Sequence, residues 1–183
     1  MKKIAFALVV LLSVAGLTAA DSASAPGLKV GAQAPVFILP DATGKHTALV
    51  DLLKHGPVAL VFYRSADWCP FCKKQLQALQ ADLKNVEMSG VRVVGISYDA
   101  PATSAAAAAK LGLTFPLLSD TGSKIIDAYG IRNAEAKGKA EGVPPPVVFI
   151  VDRAGVIRAK LMRAGYRDRP ESAEIIAAAK GLK

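Results

Sequence analysis

Cysteine is scarce in this chain, with two in 183 residues. Two cysteines exclude the multi-disulfide framework that staples small secreted scaffolds. Histidine is equally scarce, represented by His46 and His55 alone. A structural zinc site takes about four Cys or His ligands. All four such residues would have to converge, and both histidines lie in turn-like contexts, so no metal site is expected. No His follows Cys72, where Lys73 stands instead, which excludes a c-type haem attachment; copper delivery would also need a late His. Aromatic residues make up 6% of the chain, and the formal net charge of +8 is scattered rather than blocked. Nucleic-acid binding calls for a basic stripe interleaved with aromatics. The densest basic region, Arg153, Arg158, Arg163, Arg167 and Arg169, reads instead as a solvated face. The longest apolar run, Ile4 to Leu17, is interrupted at Ser13 and Gly16. It falls short of the roughly 20 residues that a membrane-spanning helix needs.

That run follows Lys2-Lys3 and precedes Thr18-Ala19-Ala20, the order of a secretory signal peptide. Residues 1–20 are therefore expected to be a signal peptide, with Ala25 the latest alternative for cleavage. No Cys follows the apolar run, so a lipid anchor has no acceptor and no stable membrane anchor is expected after cleavage. Removing 20 of the 183 residues leaves 163, one domain's worth, and takes away Lys2 and Lys3. Residues 21–30 read as a flexible mature N-terminus and 31–183 as a single domain. The protein is expected to be exported, and periplasmic if its source is a bacterium with two membranes.

What is present is Trp68-Cys69-Pro70-Phe71-Cys72. It follows the apolar run Pro57 to Tyr63 and precedes Lys73-Lys74-Gln75-Leu76, a helix-like pattern. A strand that delivers Cys-x-x-Cys to the first turn of a helix makes a redox-active thiol pair. A structural disulfide explains the spacing poorly, because stabilisation grows with the length of the closed loop. Cys69 falls at the helix mouth, where the dipole and free N–H groups lower a thiol's pKa from its usual value of about 8.5. It is the expected nucleophile, open to solvent and partners. Cys72 lies four residues before Leu76 on the stripe Leu76, Leu79, Leu83, Val86, so it faces the core and resolves the mixed disulfide. Pro70 suits the first helical turn, and Trp68 flanks the reactive sulfur. Lys73 and Lys74 read as solvated helix charges.

Along the chain, Val36 to Leu39 and Lys45 to Leu49 read as a hairpin around Pro40 to Gly44, and Val50 to Lys54 as a short helix. Val58 to Tyr63 and Val91 to Ser97 are buried strands, with one helix from Pro70 to Met88 between them. A second helix opens at Pro101, Phe115 to Leu118 is an edge strand, and Ser123 to Tyr129 is helical. Asn133 to Gly142 is a polar loop. Val147 to Val151 and Val156 to Leu161 form a hairpin, and Pro170 to Lys180 a final helix. The class is α/β, a central mixed β-sheet flanked by helices with an N-terminal β-hairpin extension.

This order, with Cys-x-x-Cys after the first central strand, resembles the thioredoxin-like fold, and in detail the AhpC/TSA (redoxin, peroxiredoxin-like) branch. Gly31-Ala32-Gln33-Ala34-Pro35-Val36-Phe37 is similar to the branch's Gly-x-x-Ala-Pro-x-Phe segment. Phe62-Tyr63-Arg64 before Trp68-Cys69-Pro70-Phe71-Cys72 resembles members with a Trp-Cys-Pro-x-Cys site. Gly95 to Asp99, Phe115 to Asp120, Tyr129-Gly130 and Phe149 to Ile157 follow in the branch's order. The resemblance implies a cis-proline at Pro146 facing the sulfurs. It implies thiol–disulfide exchange with thiol or disulfide protein partners or a small reducing thiol and no added cofactor; the alternative is hydroperoxide reduction through a Cys69 sulfenic acid. Three residues depart from peroxiredoxins. Arg64 follows Phe62-Tyr63 where their site proline stands, the site Thr is missing, and Pro146 lies near the place of their helper Arg. The position of the buried acid of thioredoxins, six before the first Cys, is Tyr63. Disulfide exchange is therefore the first expectation.

Overall fold

A computed structural model describes residues 25–163 and 167–182. The expected signal segment lies outside the described residues, and no described helix is long and apolar enough to cross a membrane. The chain builds β1 (Ile38–Pro40), β2 (His46–Ala48), α1 (Leu49–Lys54), β3 (Val58–Phe62), α2 (Pro70–Ala81), α3 (Leu83–Met88), β4 (Arg92–Ser97) and α4 (Pro101–Leu111). It continues with β5 (Leu117–Ser119), α5 (Lys124–Ala128), a 3-10 turn at Gly138–Ala140, β6 (Val147–Val151), β7 (Ile157–Met162) and α6 (Ser172–Lys180).

The main sheet runs β5-β4-β3-β6-β7, and β1 and β2 form a separate hairpin. β3 pairs parallel with β4 and antiparallel with β6, so the sheet is mixed as expected. The Val-Ala-Leu-Val-Phe of β3 and the Val-Val-Phe-Ile-Val of β6 are buried throughout. Such unbroken apolar runs mark strands covered on both faces. Leu60, Phe62 and Phe149 look toward α1 and α5, where Phe62, Tyr129 and Phe149 meet with ring centroids 5.0–5.9 Å apart. Val61 and Ile150 look the other way, onto Cys72, Leu76, Leu79 and Ile175.

The single helix expected over Pro70 to Met88 breaks at Asp82, whose φ of −105° and ψ of 9° leave the helical region. The Asn85 side-chain amide donates to the Asp82 carboxylate just past the break. The bend lets Val86 bury completely. Residues 25–30 lie against the body: Leu28 N–H donates to Tyr129 O (3.1 Å), and Lys160 Nζ donates to Ala25 O (3.2 Å).

Candidate active site

The C-terminal ends of β3 and β4 and the start of β6 meet at one edge, where Phe62 pairs with both Ile96 and Val147. The chain leaves β3 there through a tight turn. Ser65 Oγ accepts from Asp67 N–H (3.0 Å), and the Asp99 carboxylate accepts from Ala66 N–H (2.7 Å). Asp99 is 7% exposed, and burial holds its carboxyl above the usual aspartate value. Tyr63, at the place of the thioredoxins' acid, is fully buried near Asp99, Ser97 and Ser104, and burial pushes its hydroxyl up as well.

The turn ends at Cys69, which caps α2: its Sγ accepts from Cys72 N–H at 3.2 Å. Pro70 takes the first helical position. The Cys69 and Cys72 sulfurs are in bonding contact as a disulfide, with Cα atoms 5.3 Å apart. The helix-mouth position of Cys69 agrees with the sequence reading, but its solvent exposure does not. Both cysteines are 0% exposed. Trp68 and Phe71 pack against the cluster that contains them, and a side chain from the far end of the sequence closes over the sulfurs.

That side chain is Arg169. Its Nη2 lies 3.8 Å from Cys69 Sγ and 3.7 Å from Cys72 Sγ. The guanidinium stands 5.8 Å from the centroid of Phe71, and Nη1 donates to Asp168 O (2.9 Å). Gln75 Nε2 ties the same loop to α2 through Pro170 O (3.3 Å). The solvated basic face read from the sequence thus fails at Arg169, while Arg158 and Arg163 pair with Asp152 and Glu174. Nothing local to Arg169 marks it, since it is 97 residues from Cys72. The signal available was the missing helper cation near Pro146, which a search of the remaining arginines could have followed.

Trp68 Nε1 donates to Tyr98 OH (2.8 Å), Tyr98 OH donates to Lys139 O, and Lys139 Nζ sits 5.5 Å over the Trp68 ring. The polar loop from Asn133 to Gly142 is therefore docked on the site. Lys73 Nζ bonds Asp67 O (2.7 Å). Pro146 is buried immediately before Val147 of β6. The expected cis bond is not found: no described peptide bond is cis. The chain bends at Pro146 as it enters β6, and it does so with trans bonds. His46 lies on β2 and His55 caps α1, and among the described residues no three His, Cys, Asp or Glu gather as metal ligands. A groove of about 980 Å³ opens beside Phe71, Gln75, Leu79, Arg167, Arg169 and Ala173.

Residues 30–160 match the AhpC/TSA family. A Mycobacterium tuberculosis protein named as a peroxiredoxin is 36% identical over 131 residues, covering 71% of this chain and 82% of its own. A chloroplastic peroxiredoxin Q of Populus jackii is 37% identical over 128 residues, covering 70% of this chain and 57% of its own. Among solved structures, the peroxidoxin BcpB of M. tuberculosis superposes with a TM-score of 0.75 at 25% identity, over 85% of this chain and 99% of that one. A structure from Bacteroides thetaiotaomicron described as a protein disulfide isomerase superposes at 0.64, also at 25% identity, over 86% and 92%.

Proposed function

The chain belongs to the AhpC/TSA family and is an oxidoreductase acting on thiol groups; from that premise we propose that it is an exported thiol peroxidase of the peroxiredoxin type. The Cys69 thiolate attacks one oxygen of a hydroperoxide. The O–O bond breaks, the alkoxide takes a proton and leaves as an alcohol, and Cys69 becomes a sulfenic acid. The Cys72 thiol then displaces water from that sulfur and closes the disulfide. Two electrons pass from the thiol pair to the peroxide. A small reducing thiol or a thiol protein returns them by exchange.

The observation that carries this reading is the capped, cation-covered sulfur pair of Cys69 and Cys72, in a chain whose curated relatives are named peroxiredoxins. An N-cap position supplies N–H groups and dipole to a thiolate. It reverses the first expectation from sequence, which ranked disulfide exchange above peroxide reduction. The test is hydroperoxide consumption by the reduced protein: one equivalent per Cys69–Cys72 disulfide formed, none for Cys69→Ser, and a trapped sulfenic acid for Cys72→Ser. Absence of consumption by wild type would sink the proposal. Disulfide exchange is the second reading, favoured by the three-residue spacing and by the disulfide-isomerase neighbour; it predicts turnover of a protein disulfide with hydroperoxide left intact. Export is tested by the N-terminal mass of the protein from an envelope fraction, expected to begin at Asp21.

A further inference from the structure

We propose that the groove beside the disulfide binds the reductant, and that this reductant is a small thiol carrying carboxylates. The proposal rests on the thiol–disulfide chemistry that both readings of the pair share, and its test follows reduction of the disulfide with no peroxide present.

The groove leads to the pair. Its volume of about 980 Å³ suits a small ligand, whose pockets run from about 300 to 1,000 Å³. Phe71, Leu79 and Ala173 give it an apolar floor. It ends at Arg169, whose Nη2 lies 3.8 and 3.7 Å from the two sulfurs. The pair is a disulfide beside this open groove. The molecule that reacts with a disulfide is a thiol, whereas a hydroperoxide meets the reduced pair.

Charge selects the kind of thiol. Several charged groups on the groove wall already have partners. Arg163 pairs with Glu174, the Asp82 carboxylate takes the Asn85 amide, and Glu171 caps α6. Lys74 and Arg167 are exposed and form no ion pair among the described residues. The Arg167 guanidinium stands 5.7 Å from the centroid of Phe71, over the apolar floor. Asp168 is the acid left beside them. Carboxylates on the ligand are the complementary groups.

Burial selects its size. Both sulfurs are 0% exposed, behind Trp68, Phe71 and Arg169. A broad protein surface cannot bring a thiol through these side chains. A slender thiol laid along the groove needs only the Arg169 side chain to swing aside. Its thiolate attacks Cys69 Sγ, the S–S bond breaks, and the electron pair leaves on Cys72 Sγ, which takes a proton. A second thiolate then attacks the ligand sulfur of the mixed disulfide and releases the Cys69 thiolate. Two small thiols become one disulfide, and two electrons enter the cysteine pair.

The experiment mixes the oxidised full chain with mercaptosuccinate, 2-mercaptoethanol or cysteamine, which are anionic, neutral and cationic thiols. Reduction of Cys69–Cys72 is read as the mass gained on alkylation. Each rate is divided by the same thiol's rate with hydroxyethyl disulfide, which removes differences in intrinsic reactivity. At low salt the normalised rate for mercaptosuccinate should exceed that for 2-mercaptoethanol by about tenfold or more, with cysteamine the slowest. Raising the salt to about 0.5 M should remove most of the preference. Lys74→Gln and Arg167→Gln should each lower the anionic preference by about two- to fivefold, the worth of one exposed ion pair. Arg153→Gln, in the β6–β7 turn, should keep it in full. Equal normalised rates for the three thiols overturn the proposal, with no variant needed. So does a folded Lys74→Gln/Arg167→Gln protein that keeps the wild-type preference. A reduced thioredoxin that outpaces mercaptosuccinate and slows in that double variant also overturns it, because the groove then belongs to a protein partner. Hydroperoxide left intact by the reduced protein sinks the peroxidase reading alone and leaves the anionic preference standing.

Discussion

Gly95 lies in the middle of β4, between β3 and β5, and replacing it with alanine sets two effects against each other. Glycine inside a strand costs about 0.5–1 kcal/mol relative to alanine, and a buried methyl group with room to pack gains about 0.8 kcal/mol. On those grounds alone Gly95→Ala would stabilise the protein. The space decides otherwise. A Cβ at this position meets Leu117 Cδ2 at 2.7 Å and Tyr63 Cε1 at 3.1 Å, with Phe115 Cε2 at 3.7 Å. Carbon atoms pack best at about 3.5–4.0 Å. Leu117 is 1% exposed and Tyr63 fully buried, so neither can swing into solvent. The backbone is pinned by pairing with Val61 and Leu117 and by the Gly95 N–H bond to Pro116 O. Overpacking of this kind costs about 1–3 kcal/mol, and part of the methyl gain is lost with it. The expected net is about 1–2 kcal/mol of destabilisation, a melting point lower by roughly 2–8 °C for a domain of this size. Urea unfolding and thermal melts followed by circular dichroism measure both, and Gly95→Val should be worse. Wild-type or higher stability for Gly95→Ala would refute the reasoning.

Asp120 Oδ2 accepts from Ile125 N–H (3.0 Å) and Ile126 N–H (2.8 Å) at the start of α5, so Asp120→Ala should cost about 1–2 kcal/mol in urea unfolding. Asp99 titrates above its ordinary 3.8 in the folded protein because burial disfavours its charge. Folding then takes up protons, and wild type should gain stability relative to Asp99→Asn as pH falls from 7 toward about 4; a difference that shrinks over that range contradicts the sign. Trp68→Phe removes the hydrogen bond to Tyr98 OH, so it should cost about 1 kcal/mol and speed amide exchange in residues 133–142, while unchanged exchange would show the loop is held otherwise.

The fold was legible where the pattern is strong. β3 and β6 announce themselves as unbroken apolar runs, and the β6–β7 turn as Asp152 to Gly155. Both cysteines were legible too, with Cys69 at the cap and Cys72 on the buried stripe. The break at Asp82 was hidden because the apolar stripe continues across it through Leu83 and Val86. Cys69's burial and Arg169's place share one cause: both depend on the loop before α6 folding back over α2. No local periodicity encodes that long-range contact. The cis bond expected at Pro146 came from resemblance alone, and the chain bends into β6 there without it.

The most direct test of the assigned chemistry uses Trp68, the single tryptophan, next to the attacking sulfur. Reduced protein is mixed rapidly with hydrogen peroxide and the fluorescence followed in wild type, Cys69→Ser and Cys72→Ser. The expected result is an oxidation phase whose rate rises in proportion to peroxide, absent without Cys69 and retained without Cys72. A phase that survives loss of Cys69, or a wild type that shows none, contradicts the assignment of Cys69 as the peroxide-reducing thiol.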